Sequence, residues 1–147
     1  MEKKLKYANY IITKPLPPRP GFKGAPGLTQ VLALNGEMLK GAFHISCAWI
    51  SPGPNPGVYP AHTHPHGEMI GFIGTNPDDP SDLGGETELW IDDEQYFIKE
   101  SFLAFFPKDI LHCPLMVTNV TRPIFHFDIQ MAEGKPIFDW LNEEPGV

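Results

Sequence analysis

Apolar residues fall along this chain in short runs that alternate with polar positions, and proline, glycine or asparagine closes nearly every run. That pattern predicts strands and turns. The stretch AFHISCAWIS, Ala42 to Ser51, is a strong strand candidate, ended by the breaker run PGPNPG. Upstream, GLTQVLALNGEMLKG reads as two short strands around Asn35-Gly36, a dipeptide suited to a tight hairpin. Downstream, ETELWIDD and EQYFIKE read as a second hairpin, with Thr87, Leu89 and Ile91 on one side and Glu86, Glu88 and Trp90 on the other. The runs SFLAFFP, CPLMVTN and PIFHFDIQM follow as further strands. Thr75 to Gly85, TNPDDPSDLGG, reads as a long polar loop, and only KPIFDWLNEE near the C-terminus suits one short helix. Lys14 to Pro26, KPLPPRPGFKGAP, reads as an extended arm over a surface. Many short strands with few helices imply an all-β sandwich or barrel, and the pattern alone does not choose between them.

Composition fits this picture. A chain of 147 residues with 41% hydrophobic residues is most simply one domain with a real core. Its 17 prolines are unsuited to helix interiors. The net charge of −7 speaks against nucleic acid and anionic membrane surfaces as partners. The N-terminal MEKKLKYANYIITK is basic at its start but lacks the apolar stretch of a signal peptide, and no run approaches the roughly 20 apolar residues of a membrane span. The two cysteines, Cys47 and Cys113, are too few for a disulfide framework and read as buried structural thiols, so a cytoplasmic location is the default expectation.

The candidate chemistry lies in AHTHPHGEMIGFIG, where His62, His64, His66 and Glu68 stand at every second position. An unbroken strand would spread these four over roughly 20 Å, too far for one ion. Pro65 and Gly67 suit a turn, with Gly67 free to take a positive φ. If the chain folds back there, His62 and His64 meet Glu68, and His66 rides the turn. Two imidazoles and a carboxylate make the facial set that leaves coordination positions open. Downstream, FFPKDILHCP places Asp109 in a turn and His112 at the head of another strand, as a fourth ligand. His126 and Asp128 share one face of a strand and are candidates for handling protons near an ion, although Phe125, Phe127 and Ile129 compete for the interior. His44 is a weaker candidate of the same kind.

With both segments in view, the chain resembles the cupin superfamily of small metal-binding β-barrels. The first motif of that superfamily falls on Gly57, His62, His64, Glu68 and Gly74, and the second on Pro107, Asp109 and His112. The resemblance covers roughly residues 43–130. Ser101 and Asp109 stand where the second motif usually has glycine. It implies a double-stranded β-helix, or jelly-roll barrel, in a single domain of residues 1–147. Residues 1–41 would form the arm and first strands, 42–130 the core barrel, and 131–147 the tail. It further implies one divalent ion on His62, His64, Glu68 and His112, Fe(II) by preference, with Mn, Ni, Co or Zn also accepted by such ligands. A small oxygenated substrate and dioxygenase chemistry are the leading expectation; a redox-neutral isomerase, lyase or hydrolase, or a non-catalytic binding barrel, is the alternative. A homodimer with the arm packed on the neighbouring barrel is also expected.

Overall fold

The computed structural model describes residues 5–15, 27–53 and 57–133. Among the described residues nine strands run in the order β1 (Leu28–Leu34), β2 (Phe43–Ile50), β3 (Gly57–Tyr59), β4 (Glu68–Ile73), β5 (Asp82–Ile91), β6 (Glu94–Glu100), β7 (Phe102–Phe106), β8 (His112–Thr118) and β9 (Ile124–Glu133). A short 3-10 turn at Ala8–Tyr10 precedes them. The strands form two antiparallel sheets, β1-β2-β9-β4-β7 and β3-β8-β5-β6, and the all-β jelly roll expected from the motifs is what the chain adopts. Most of the expected arm and the helix expected at Lys135–Glu144 lie outside the described residues.

The core forms where the inward faces of the two sheets meet. Phe72, Leu83, Leu89, Phe106, Leu115 and Ile124 pack there almost wholly removed from water. The alternation anticipated for β5 holds, with Thr87 and Leu89 buried and Glu86, Glu88 and Trp90 less so. Asp92 takes φ 54 in the tight turn between β5 and β6, and Ile91 pairs with Glu94 across it.

Two expectations fail. No hairpin forms around Asn35-Gly36: β1 pairs with β2, and the residues between them make a turn. The Asn35 side chain accepts the N–H groups of Glu37 (3.0 Å) and Met38 (3.3 Å), a local bond that competes with strand pairing. The expected loop from Thr75 to Gly85 is shorter than its composition suggests, because Asp82 to Gly85 already belong to β5. Gly84, at φ 71, sits within the irregular pairing between Asp82 and Thr87.

That loop leaves the C-terminal end of β4, whereas Glu68 begins the strand. The five residue steps from Glu68 to Ile73, at about 3.3 Å each, put the loop more than roughly 16 Å from Glu68. Tight contacts close it there. The Gly74 N–H donates to Ser101 Oγ (2.9 Å), and Ser101 Oγ–H donates to the Pro80 carbonyl (2.8 Å). A Cβ at Gly74 would lie 1.8 Å from the Asp82 carbonyl oxygen, so only glycine fits.

Candidate metal centre

The four expected ligands come from three separate stretches of chain that backbone pairing draws together. The His62 N–H donates to the His112 carbonyl (3.0 Å), and the His112 N–H donates to the His62 carbonyl (3.1 Å). After His64 the chain bends at Pro65 and His66 and enters β4 at Glu68. Gly67 is not among the residues with positive φ; it is small for another reason. A Cβ there would press on the Phe105 ring at 3.0 Å and on Met131 Sδ at 3.2 Å. The second turn does use the left-handed region, at Asp109 (φ 66), whose N–H donates to the His64 carbonyl at 2.7 Å. Each motif therefore braces the other.

One ligand atom from each of His62, His64, Glu68 and His112 lies within 4.8 Å of all the others. The imidazole centroids of His62 and His112 are 4.3 Å apart, and those of His62 and His64 are 4.7 Å apart. His64, Glu68 and His112 are buried, and His62 is half-buried. The Phe106 ring stacks on His112 at 4.2 Å and shields it from water.

Hydrogen bonding fixes two of the tautomers. His62 Nδ1 lies 2.6 Å from the Pro60 carbonyl oxygen, and His112 Nδ1 lies 2.9 Å from that of Ile110. A carbonyl oxygen only accepts, so each Nδ1 carries the proton, and in a neutral ring Nε2 is left as a lone-pair donor. Burial lowers the pKa of His62, the neighbouring His112 and His64 add to the lowering, and together these outweigh the opposing pull of the Pro60 carbonyl and Glu68.

Glu68 supplies the charge. Burial pushes its carboxyl up, but polar contact with His112 and His64 prevails and takes it to about 2. His64 Nε2 approaches Glu68 Oε2 at 3.1 Å, and His112 Nε2 approaches Oε1 at 3.6 Å, yet both buried nitrogens lack a hydrogen-bond partner. Buried polar atoms without partners are costly. A divalent cation at their common centre would satisfy all four groups together, and the donor set suits it.

His66 lies outside this set. Its ring stacks on His64 (centroids 5.1 Å apart), and its Nε2 is 3.1 Å from Gln130 Oε1. Gln130, wholly buried, was not singled out from the sequence; it continues the inward row of β9 that also holds Ile124, His126 and Asp128.

The facing of His126 and Asp128, undecided in the sequence, is inward. Both share the side of β9 that carries the buried Ile124 and Gln130. His126 Nδ1 is 2.9 Å from the Gly71 carbonyl oxygen, and its ring stacks on Phe72 at 4.1 Å. Asp128 Oδ1 is 3.6 Å from Nε2 of the buried His44. Tyr59, another residue without a motif to flag it, faces His126 with centroids 6.5 Å apart. Burial, then Asp128, Cys113 and Glu68, push its hydroxyl well above the usual range.

Cys113 is buried, and burial followed by the Glu68 charge takes its thiol to about 12, consistent with an inert structural residue. Cys47, also expected to be buried, is instead half-buried on the outer side of β2.

Burial is the main cause of a lowered pKa at His126, which gives a pH prediction. Between the lowered folded value and about 6.5, the unfolded chain binds more protons there, so this contribution is complete above about 6.5 and is lost as pH falls below it. Denaturant unfolding between pH 5 and 8 is expected to show a shallower acid-side loss in a His126→Gln variant than in the parent, by up to about 1.4 kcal/mol per pH unit. Equal slopes would place the proton uptake elsewhere.

No protein-family model matches the chain, and no curated protein matches it. Similarity to solved structures is extensive. A cupin superfamily protein from Desulfitobacterium hafniense aligns with a TM-score of 0.50 at 12% identity, covering 84% of this chain and 100% of that one. A cupin protein from Bacteroides fragilis aligns at 0.45 with 19% identity over 76% of this chain and 86% of its own. KdgF from a Halomonas species aligns at 0.44 with 14% identity, covering 73% and 82%. The likeness is one of fold.

Proposed function

On a chain with the cupin fold, we propose that His62, His64, Glu68 and His112 hold one divalent metal ion and that the protein is an enzyme acting on a small oxygenated organic molecule. The observation that carries this reading is the pair of buried, partnerless Nε2 atoms on His64 and His112, set against an ionised carboxylate. Three neutral imidazoles and one carboxylate leave a divalent ion with net positive charge and room for exchangeable ligands. When bound, the ion supplies Lewis-acid polarisation of a substrate oxygen or, if it is iron, redox chemistry with dioxygen.

The remaining work falls to the chain's own side chains. The carbonyls of Pro60 and Ile110 hold two ligand rings in the orientation that presents Nε2. Burial keeps His126 neutral, and its Nδ1–H is committed to Gly71, so Nε2 is the atom that takes up a proton. Tyr59, which faces His126 on the inner wall, keeps its hydroxyl proton. Asp128, paired with His44, is the carboxylate of this inner wall. A barrel that only bound its ligand would have no need of these proton-handling groups facing inward, and that favours an enzyme.

With Fe(II), the metal we favour, the reaction is oxygen-dependent cleavage of a diketone or catechol-like substrate. The inward His126 and Asp128 also support a second reading, a redox-neutral isomerase, lyase or hydrolase, in which a proton moves between substrate atoms. Elemental analysis of protein purified without added metal or chelator comes first. Iron near one ion per chain, with oxygen uptake on diketones or catechols, supports the oxygenase. Another ion, with deuterium exchange into a carbonyl substrate that His126→Gln abolishes, supports the redox-neutral enzyme. No bound metal, even after reconstitution, would overturn both.

A further inference from the structure

Water reaches the middle of an inward-facing row. Along β9, Ile124 and Gln130 are 0% and 1% exposed, yet the Asp128 side chain between them is 21% exposed. A sealed row with an open centre marks a hollow against the inner wall. Ser46 stands directly opposite Asp128 on β2, and opposite residues of an antiparallel pair share a face. Ser46 is half-buried as well, and Nε2 of the exposed Gln30 on β1 lies 3.5 Å from its Oγ. A polar strip therefore runs inward from the β1 edge of the sheet through Ser46 to Asp128. It stops there, because the next residue across, Ile70 on β4, belongs to the core.

The strip ends within reach of the metal centre. Gln130, two residues along from Asp128, pairs with the ligand Glu68 on β4. Two residues along a strand and one strand across put Asp128 roughly 8 Å from Glu68, about the length of a small organic molecule. Tyr59 faces His126 with centroids 6.5 Å apart, and its hydroxyl feels the charges of both Asp128 and Glu68.

Charge on this wall has one sign. The Asp128 carboxylate, with Nε2 of the buried His44 at 3.6 Å from its Oδ1, accepts hydrogen bonds and donates none. Among the described residues all six lysines and arginines are exposed. Lys99 pairs with Glu86 at 2.9 Å on the other sheet, and the rest lie in turns and bends. A carboxylate or phosphate placed beside Asp128 would meet a like charge with no inward cation to offset it; an ammonium or a hydroxyl would find an acceptor.

We infer that Ser46 and Asp128 form a subsite for the end of the substrate that lies away from the metal, and that it receives an ammonium or hydroxyl group and rejects a second anionic group. The inference rests on the metal centre proposed above and narrows its substrates. They bind the ion through oxygens at one end and carry an amine or hydroxyls at the other.

The test is titration calorimetry of the full chain loaded with Zn(II), a redox-inert ion, at pH 7.5. Three probes share one chelating end and differ in charge at the other: catechol, 3,4-dihydroxyphenethylamine and 3,4-dihydroxybenzoate. The amine is expected to bind most tightly and the acid least, with about 10-fold or more between them. Asp128→Asn keeps the shape of the side chain and should bring the amine and the acid to within about 2-fold of one another. Its zinc content should match the parent, since Asp128 is not a ligand. Ser46→Arg probes the same strip without touching Asp128 and should put the acid ahead. Equal binding of amine and acid by the parent, or tighter binding of the acid, overturns the inference and leaves the metal centre standing. So does an order that Asp128→Asn or Ser46→Arg leaves unchanged, or a zinc-loaded chain that binds none of the three. A chain that takes up no zinc overturns the metal centre and this inference with it.

Discussion

Replacing His112 with alanine is expected to lower bound metal from about one ion per chain to below a tenth under the same purification. His112 is 1% exposed, and its tautomer is set by the Ile110 carbonyl, so its lone pair is oriented before any ion arrives. Losing an outer partner of a ligand typically costs 10–100-fold in metal affinity, and losing the ligand itself should cost at least about 100-fold. The backbone pairing between residues 62 and 112 survives the substitution, because it uses main-chain atoms alone. His66→Ala is the informative companion. Its ring supports His64 from behind without belonging to the ligand set, so it should weaken binding by about 10-fold and leave the stoichiometry intact. Full metal occupancy in His112→Ala, measured by elemental analysis, would refute the four-ligand site.

Chelation is expected to produce the second large effect. The ligands join the stretch around His62 and His64, the start of β4 and the start of β8, and the unfolded chain has no such site. An ion present at 1,000 times its dissociation constant stabilises the native state by about 4 kcal/mol. For a chain of this size that corresponds to roughly 8–16 °C in Tm. Thermal unfolding with and without chelator should show a shift of that order in the parent and almost none in His112→Ala. An equal shift in both proteins would mean that the ion stabilises the barrel from another place.

The ligand cluster was legible in the sequence because most of its geometry is local: the bend at Pro65 serves His62, His64 and Glu68, and the turn at Asp109 serves His112. The strands of the core were legible where one face is apolar and the other polar, as at Thr87 to Ile91. Legibility ended where that contrast vanishes. On β9, Phe125, Phe127 and Ile129 are as apolar as any core row, so alternation cannot tell which side holds His126 and Asp128. The cause is the uncharged outer face of the sheet. At Asn35-Gly36 a side-chain bond two residues long overrode a favourable hairpin dipeptide. Asp82 to Gly85 look like loop because their partners are distant: Asp82 pairs with Glu100, and the Gly84 carbonyl accepts the Thr121 N–H at 2.7 Å. Tyr59 and Gln130 carry no motif, and only the pairing of strands brings them to the inner wall.

The closure at Gly74 and Ser101 divides the barrel into two ends with different tolerances. All four ligands gather where β4 and β8 begin, while the turn through Pro77, Asp78 and Asp79 lies a strand's length away. Change at that turn is therefore insulated from the chemistry by rigid sheet. A fluorophore, an affinity tag or an inserted peptide at Asp78 would report on the protein or immobilise it without approaching the ligands. Gly74 and Ser101, which anchor the turn, are where such engineering has to stop.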